Sequence, residues 1–468
     1  MQSFFFYDLE TSGLNARNQR VMQFAGQRTD KDLKPVGDPV NVMVKLSDDI
    51  LPEPYAILVT GITPQMTLGE GLSEPEFARL LSEEIFTPGT VVVGYNNIRF
   101  DDEFIRHTLW RNFYDPYEWA WSEDRGRWDI LDVVRMTRAL RPDGITWPTD
   151  ENGRSVNRLE PIAKENKLLH TKAHDALSDV EALVALTQLL RNKQSKLFDY
   201  LLQLRDKKQV AKVVNLESPE PFVYASGRYS AEHDFATVAF PLAPGTKPGS
   251  VLVYDLRFDP SPFVQATPQA LAGTLQADRE MRAQEGFVPL PVKELAYNKC
   301  PAVAPLGVLD EASQQRLKLS LETIKTNLKT LTDHPAFVEA VRTAYEMREP
   351  YESSLDVEAQ LYDGFIPDSD KVKCAAVRNA SVNELADFHP NFVDERLPEL
   401  LLRYKARWYP TALSEDERMT WEQYRAQKIS AGLPSYVETL GRLAENASDT
   451  YLLEELQLWA ESIAPSDD

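Results

Sequence analysis

Only two cysteines occur in 468 residues. Cys300 and Cys374 lie far apart and match no metal-binding spacing, so they read as free thiols of a reducing compartment. No apolar run approaches the ~20 residues of a membrane span, and the amino-terminal stretch lacks the basic flank of a signal peptide. The expectation is a cytoplasmic protein with no membrane association. Internal repeats and low-complexity linkers are also missing. Basic residues are in deficit, 51 Lys and Arg against 72 Asp and Glu, for a net charge of −21. Phosphate binding is mostly electrostatic, so a negative charge spread evenly would argue against a nucleic-acid partner. A local basic track beside an acidic pocket is compatible with the same total.

What is present is ordinary globular composition, 43% hydrophobic and 26% charged. The length exceeds what one core serves and predicts two to four domains. Residues 4–9, 20–29 and 40–46 read as three closely spaced, antiparallel strands. "EPEFARLLSEEIF" (74–86) has helical spacing and "TVVVGYN" (90–96) is a short buried strand. Helical patterns follow at 101–112, 128–140, 158–166 and 174–191, which closes an α/β domain near residue 190. Residues 211–300 are rich in Val, Phe, Tyr, Pro and Gly and read as a small all-β domain of barrel type. From about 311 the pattern is helical to the end.

The chemistry concentrates in "FFFYDLETSGL" (4–14). Asp8 and Glu10 sit at i and i+2 of a buried strand and share one face. Two carboxylates held that close repel unless a cation lies between them. Asp101 in "GYNNIRFDDEFI" follows a strand and opens a helix. In "HDALSDVEA", His174 precedes a helix and Asp179 lies about one and a half turns inside it. Taken singly, each acid has a structural reading: Asp101 as a helix cap or first-turn acid, and Asp175 as the cap of the last helix. His174 alone would be a capping or packing residue. As an ordered set the four carboxylates Asp8, Glu10, Asp101 and Asp179 suit two divalent ions, which take oxygen ligands and share them with substrate phosphate. An imidazole titrating near neutrality could accept the proton of the attacking water. Mg2+ or Mn2+ is the expected cation.

These segments resemble the three motifs of the DEDDh superfamily of 3′→5′ exonucleases, which have a ribonuclease H-like fold. Further stretches, "VTGITPQ", "RNFYDPYEWAW", "RWDILDVVR", "RPDGITWP", "LFDYL", "NKCP" and "AQLYDGF", are spread over nearly the whole chain. Together they resemble the bacterial exodeoxyribonuclease I family. The resemblance implies an exonuclease domain at 1–190, an SH3-like β domain at 195–348 and a helical C-terminal domain at 351–468. It also implies Mg2+-dependent hydrolysis of single-stranded DNA from the 3′ end, releasing 5′-mononucleotides in DNA repair and recombination. Asp8, Glu10, Asp101 and Asp179 would hold two metal ions and His174 would be the general base. Ser12 departs from the family, where an aromatic residue is expected.

Between 106 and 128 the chain carries many aromatic and basic residues, the composition that stacks on bases and follows a backbone. Trp110, Phe113 and Trp128 are assigned to the core. Tyr117 and Trp121, four apart, would share a face if the segment is helical. The resemblance implies Arg106, Tyr117, Trp121, Arg135 and Arg158 as contacts to the strand, with Glu10 also touching substrate. Arg135 has the alternative of a surface pair with Asp132. As partners it implies single-stranded DNA and the acidic C-terminal tail of single-stranded-DNA-binding protein, with the chain acting as a monomer. Alternative readings are an RNA-trimming exonuclease and a non-catalytic single-strand binder.

Overall fold

The computed structural model describes residues 3–168, 175–348, 352–445 and 449–465. The first strand follows directly from its composition. Phe4, Phe5, Phe6 and Tyr7 are all buried, on both faces, which places β1 (Ser3–Thr11) at the centre of a covered sheet. β2 (Val21–Thr29) and β3 (Val40–Met43) continue antiparallel, as their spacing predicts. β4 (Thr90–Gly94) joins the other edge of β1 in parallel, and β5 (Gly126–Asp129) completes the order β3-β2-β1-β4-β5.

The helices at Asp101–Arg111, Leu159–Glu165 and Ala176–Lys193 lie where the periodicity predicts them. Three elements differ from that reading. The helix begun at Glu74 gives way after Leu80 to a single π turn, Leu81–Ile85. The 128–140 helix starts only at Ile130, because Trp128 and Asp129 still belong to β5 and Asp129 caps the helix through Leu131 N. Two short helices, Pro54–Thr60 and Pro64–Glu70, were not foreseen. Each has proline in its first turn, where the missing N–H costs nothing.

The chain forms two compact units that interleave in sequence. The first comprises Met1–Arg127, His170–Val184 and Glu352–Asp468, and the second Trp128–Leu169 and Ala185–Tyr351. Within the first unit the C-terminal helices share a core with the amino-terminal elements. Trp110 and Phe113 pack with Val357, Leu361, Leu397, Leu400 and Tyr404, and Met22, Ile57 and Ile62 pack with Tyr436, Leu440 and Leu456. A buried ion network accompanies this core. Glu358 accepts from Arg20 at 2.6 Å and from Arg407 at 2.5 Å, and Arg407 also reaches Asp49 at 2.7 Å. Arg111 pairs with Glu74 at 2.5 Å.

The second unit contains an antiparallel sheet of β6 (Phe222–Ala225), β7 (Ala236–Pro244), β8 (Ser250–Asp255), β9 (Val292–Ala296) and β10 (Ala302–Pro305), ordered β10-β6-β7-β8-β9. The register of β7 shifts between Pro241 and Ala243, at a residue that cannot donate to the ladder. The segment read as all-β also includes the helix Pro268–Gln276. Trp110, Phe113 and Trp128 are core, as assigned, and Cys300 and Cys374 are buried and not joined in a disulfide. Among the described residues no helix is long and apolar enough to cross a membrane.

Candidate active site

The end of β1 sets two carboxylates on one side of the sheet. Asp8 and Glu10 pair in register with Ala25 and Gln23 of β2, and the register slips just after Glu10. Their neighbours Tyr7 and Leu9 face the opposite side and are buried. After β4 the chain turns sharply: Asn96 adopts φ 68°, Asn97–Arg99 form a 3-10 turn, and Asp101 opens the next helix. Gly94 permits this turn, because a Cβ there would lie 2.5 Å from the Asn97 Cβ. Asp179 lies in the first turn of Ala176–Lys193, closer to the helix start than the sequence reading placed it. The Asp175 carboxylate accepts from the Ser178 hydroxyl at 3.2 Å.

Asp8, Glu10 and Asp179 can each bring an oxygen within 4.8 Å of the others. The carboxyl of Asp8 is pushed well above the usual carboxylate range, first by burial and then by the charges of Asp101, Glu10 and Asp179. Glu10 is pushed up to about 8 by burial, then by Asp179, Asp101 and Asp175. The charges raising both groups are therefore other carboxylates, Asp101 among them. A donor set made only of carboxylate oxygen suits a hard divalent cation, which would replace the mutual repulsion with attraction. The residues present fit such an ion.

A pH dependence follows. An unfolded chain loses the Glu10 proton near 4.5, whereas the folded protein keeps it to about 8. In that window the folded state binds more protons, so the stability that this group contributes falls as pH rises and is gone above about 8. In EDTA the protein is expected to melt lower at about pH 9 than at about pH 5. A divalent cation should narrow the gap by holding the carboxylates ionised. Parallel melting curves with and without cation across that range would contradict the clustered geometry.

His174 lies outside the described residues. Arg106 is largely buried, donating to Glu103 at 3.2 Å and to the Tyr362 hydroxyl at 3.1 Å, with its guanidinium 5.6 Å from the Tyr117 ring centre. The Tyr117 hydroxyl donates to Leu361 O at 3.2 Å. Tyr117 and Trp121 do not share an α-helical face, because a 3-10 turn, Glu118–Ala120, separates them. Trp121 is 68% exposed. Arg135 and Arg158 belong to the second unit. Arg135 pairs with Asp132 at 2.6 Å, as the alternative for it had it, but the pair is largely buried rather than on the surface, and its guanidinium lies over the Phe235 ring; Arg158 is exposed.

Ser12 is wholly buried, donating to Gln19 Oε1 at 2.7 Å and accepting from Arg20 N at 2.8 Å. Leu14 in the same loop is an exposed apolar side chain. Sequence reasoning assigned no role to Tyr362 and Phe365, whose rings stand 6.3 and 5.6 Å from that of Tyr117. Phe365 is 83% exposed, and the only signal for the pair is the stretch "LYDGF" itself.

Residues 5–187 match the family model described as Exonuclease, 205–347 the Exonuclease I SH3-like domain, and 355–463 the Exonuclease I C-terminal domain. Exodeoxyribonuclease I of Haemophilus influenzae is 38% identical over 448 residues, spanning 96% of this chain and 95% of that protein. Escherichia coli exonuclease I, solved in complex with a dA16 oligonucleotide, superposes with a TM-score of 0.96 at 36% identity, covering 99% of this chain and 100% of the other. A moderately thermophilic exonuclease I from Methylocaldum szegediense superposes with a TM-score of 0.94 at 38% identity, covering 99% and 100%.

Proposed function

Since the chain belongs to the exodeoxyribonuclease I family, we propose that its carboxylate cluster hydrolyses single-stranded DNA from the 3′ end and releases 5′-mononucleotides. The observation that carries this is the meeting of Asp8, Glu10 and Asp179 within 4.8 Å, with Asp101 raising the proton affinity of the first two. Asp8, Glu10, Asp101 and Asp179 are assigned as ligands of two Mg2+ ions, with Mn2+ as a substitute. When bound, such ions lower the pKa of water and neutralise charge developing on the phosphate. His174 is assigned the proton of the attacking water, and Glu10 a second contact with the terminal nucleotide. Domains at 1–190, 195–348 and 351–468, a monomeric working form and a cytoplasmic location complete the reading.

The direct test compares single strands labelled at either end, incubated with Mg2+ and with EDTA. Mononucleotides should appear from the 3′ end, only with metal. A matched RNA oligomer addresses the RNA-trimming alternative, and binding without release would favour a non-catalytic binder. Neither alternative is favoured: the neighbouring solved protein was captured with a DNA oligonucleotide, and the carboxylate cluster is intact.

Arg106, Tyr117, Trp121, Arg135 and Arg158 are assigned to the strand. Trp121→Ala should weaken single-strand binding by ~1–3 kcal/mol with an unchanged salt slope, because stacking releases no counterions. Arg106→Ala should flatten the slope of log affinity against log salt by roughly 0.7, one phosphate's share on a single strand. Identical slopes for wild type and the Arg106 variant would mean that this guanidinium serves Glu103 and Tyr362 instead. The acidic tail of single-stranded-DNA-binding protein is kept as a partner on family grounds. The stretch after "NKCP" is the buried strand β10 and carries no basic residue, so the cations for such a tail come from elsewhere in the chain.

A further inference from the structure

Behind the carboxylate cluster lies a second acid that the proposed chemistry does not use. Asp102 is wholly buried, and its carboxylate accepts three hydrogen bonds from three different elements. The Tyr7 hydroxyl on β1 donates to Oδ1 at 2.7 Å, and Asn97 Nδ2 in the turn after β4 donates to the same oxygen at 3.0 Å. Arg127 on β5 donates to Oδ2 at 2.6 Å and supplies the countercharge. With both oxygens engaged, Asp102 is held away from the role of a further metal ligand.

The places of the two residues in the chain give the arrangement its meaning. Tyr7 immediately precedes Asp8 and Asp102 immediately follows Asp101. The Tyr7–Asp102 bond therefore joins the backbone neighbours of two carboxylates that arrive on different elements, a strand and a helix start. Asp8 and Asp101 repel each other, and burial strengthens that repulsion. In the metal-free protein the helix start is thus pushed away from the strand end, and a bond behind the site opposes the push. Asn97 adds a tie to the turn that delivers the helix, and Arg127 gives the same carboxylate a charged donor on its other oxygen.

We propose that Asp102, through Tyr7, Asn97 and Arg127, is a positioning residue that fixes the separation of Asp8 and Asp101 for divalent-cation binding. The proposal rests on the reading of Asp8 and Asp101 as metal ligands. Partners behind a ligand typically change metal affinity 10–100-fold when removed, and that is the effect expected here.

The test titrates Mn2+ into the full-length protein by calorimetry, without DNA, for wild type, Tyr7→Phe, Asp102→Asn and Phe5→Leu. Tyr7→Phe deletes one hydroxyl and should raise the Mn2+ dissociation constant about tenfold. Asp102→Asn turns an amide N–H toward a donor and should raise it about 100-fold. Phe5 lies buried on the same face of β1, further from the ligands. Phe5→Leu should lower the melting temperature without altering Mn2+ affinity, which separates positioning from mere stability. Nucleotide release by Tyr7→Phe should recover at saturating Mn2+. Should Asp102→Asn fail to fold, Tyr7→Phe still decides the matter. Wild-type Mn2+ affinity in Tyr7→Phe, whatever its melting temperature, would overturn the positioning role. If wild type itself binds no Mn2+, the reading of the carboxylates as ligands fails first, and the two failures are told apart.

Discussion

Asp8→Asn is expected to abolish nucleotide release while raising the melting temperature of the metal-free protein. Both effects come from one carboxylate. Asp8 feels three others, Asp101, Glu10 and Asp179, and burial removes the water that would screen them. The substitution deletes a metal ligand and at the same time removes a repelled charge from the folded state. Turnover should drop by about 10³-fold or more, above the usual cost of losing a single stabilising donor in an active site. The gain in stability should be seen in EDTA at alkaline pH. It should shrink as pH falls, because the wild-type carboxyl, with its raised proton affinity, takes up its proton and the two proteins come to carry the same charge at this position. Release assays on a labelled single strand and melting curves in EDTA measure the two halves independently. Near-wild-type release would remove Asp8 from the site, and a lowered melting temperature would show that the carboxylates are not in conflict.

The largest effect on stability is expected from Glu358→Ala. Glu358 is buried among Arg20, Arg407 and Arg403, at 2.6, 2.5 and 3.6 Å, and their charges hold its carboxyl well below the usual range against the opposing effect of burial. Truncating it leaves the buried guanidinium groups of Arg20 and Arg407 without that counterion. Breaking a buried pair from one side costs ~3–5 kcal/mol, a large share of an ordinary folding free energy. A denaturant melt of the full chain gives the number directly; a loss below ~1 kcal/mol would mean that water or Glu74 and Asp49 take over the role. The same geometry bears on shortening the chain. A fragment ending at 195 keeps Arg20, Trp110 and Phe113 but loses Glu358, Leu397, Leu400 and Tyr404, so buried charge and apolar surface are both uncovered. Such a fragment should aggregate rather than act on short oligomers.

The parts of the fold legible in the sequence were those whose cause is local. A run of four aromatic residues ending in alternating acids gives a buried strand with two carboxylates on one face. Periodicity located the long helices. The spacing of Tyr117 and Trp121 misled because Asp115, just before them, turns the chain: its carboxylate accepts from the N–H groups of Tyr117 and Glu118, and a short 3-10 turn follows instead of an α-helix. Likewise, Trp128 looked helical from its neighbours but belongs to a strand. Contacts across hundreds of residues left no local trace. Nothing near Arg20 announces Glu358, 338 positions away, and nothing near Tyr117 announces Tyr362 and Phe365. The carboxylates could be found because their chemistry fixes their number and type, whereas Asp102, beside one of them, has the same letter and a different task.

The interleaving of the two units also has a meaning for biosynthesis. On the ribosome, Asp8 and Glu10 emerge long before residues from Glu352 onward, which the unit that holds them also needs. The second unit, whose segments end at Tyr351, has all its parts earlier. A nascent chain can therefore complete the later-numbered sheet before the earlier one, and the carboxylates meet in a finished core only after residues from Glu352 onward have emerged. The unit that carries the earlier-made ligands is thus the later of the two to be finished.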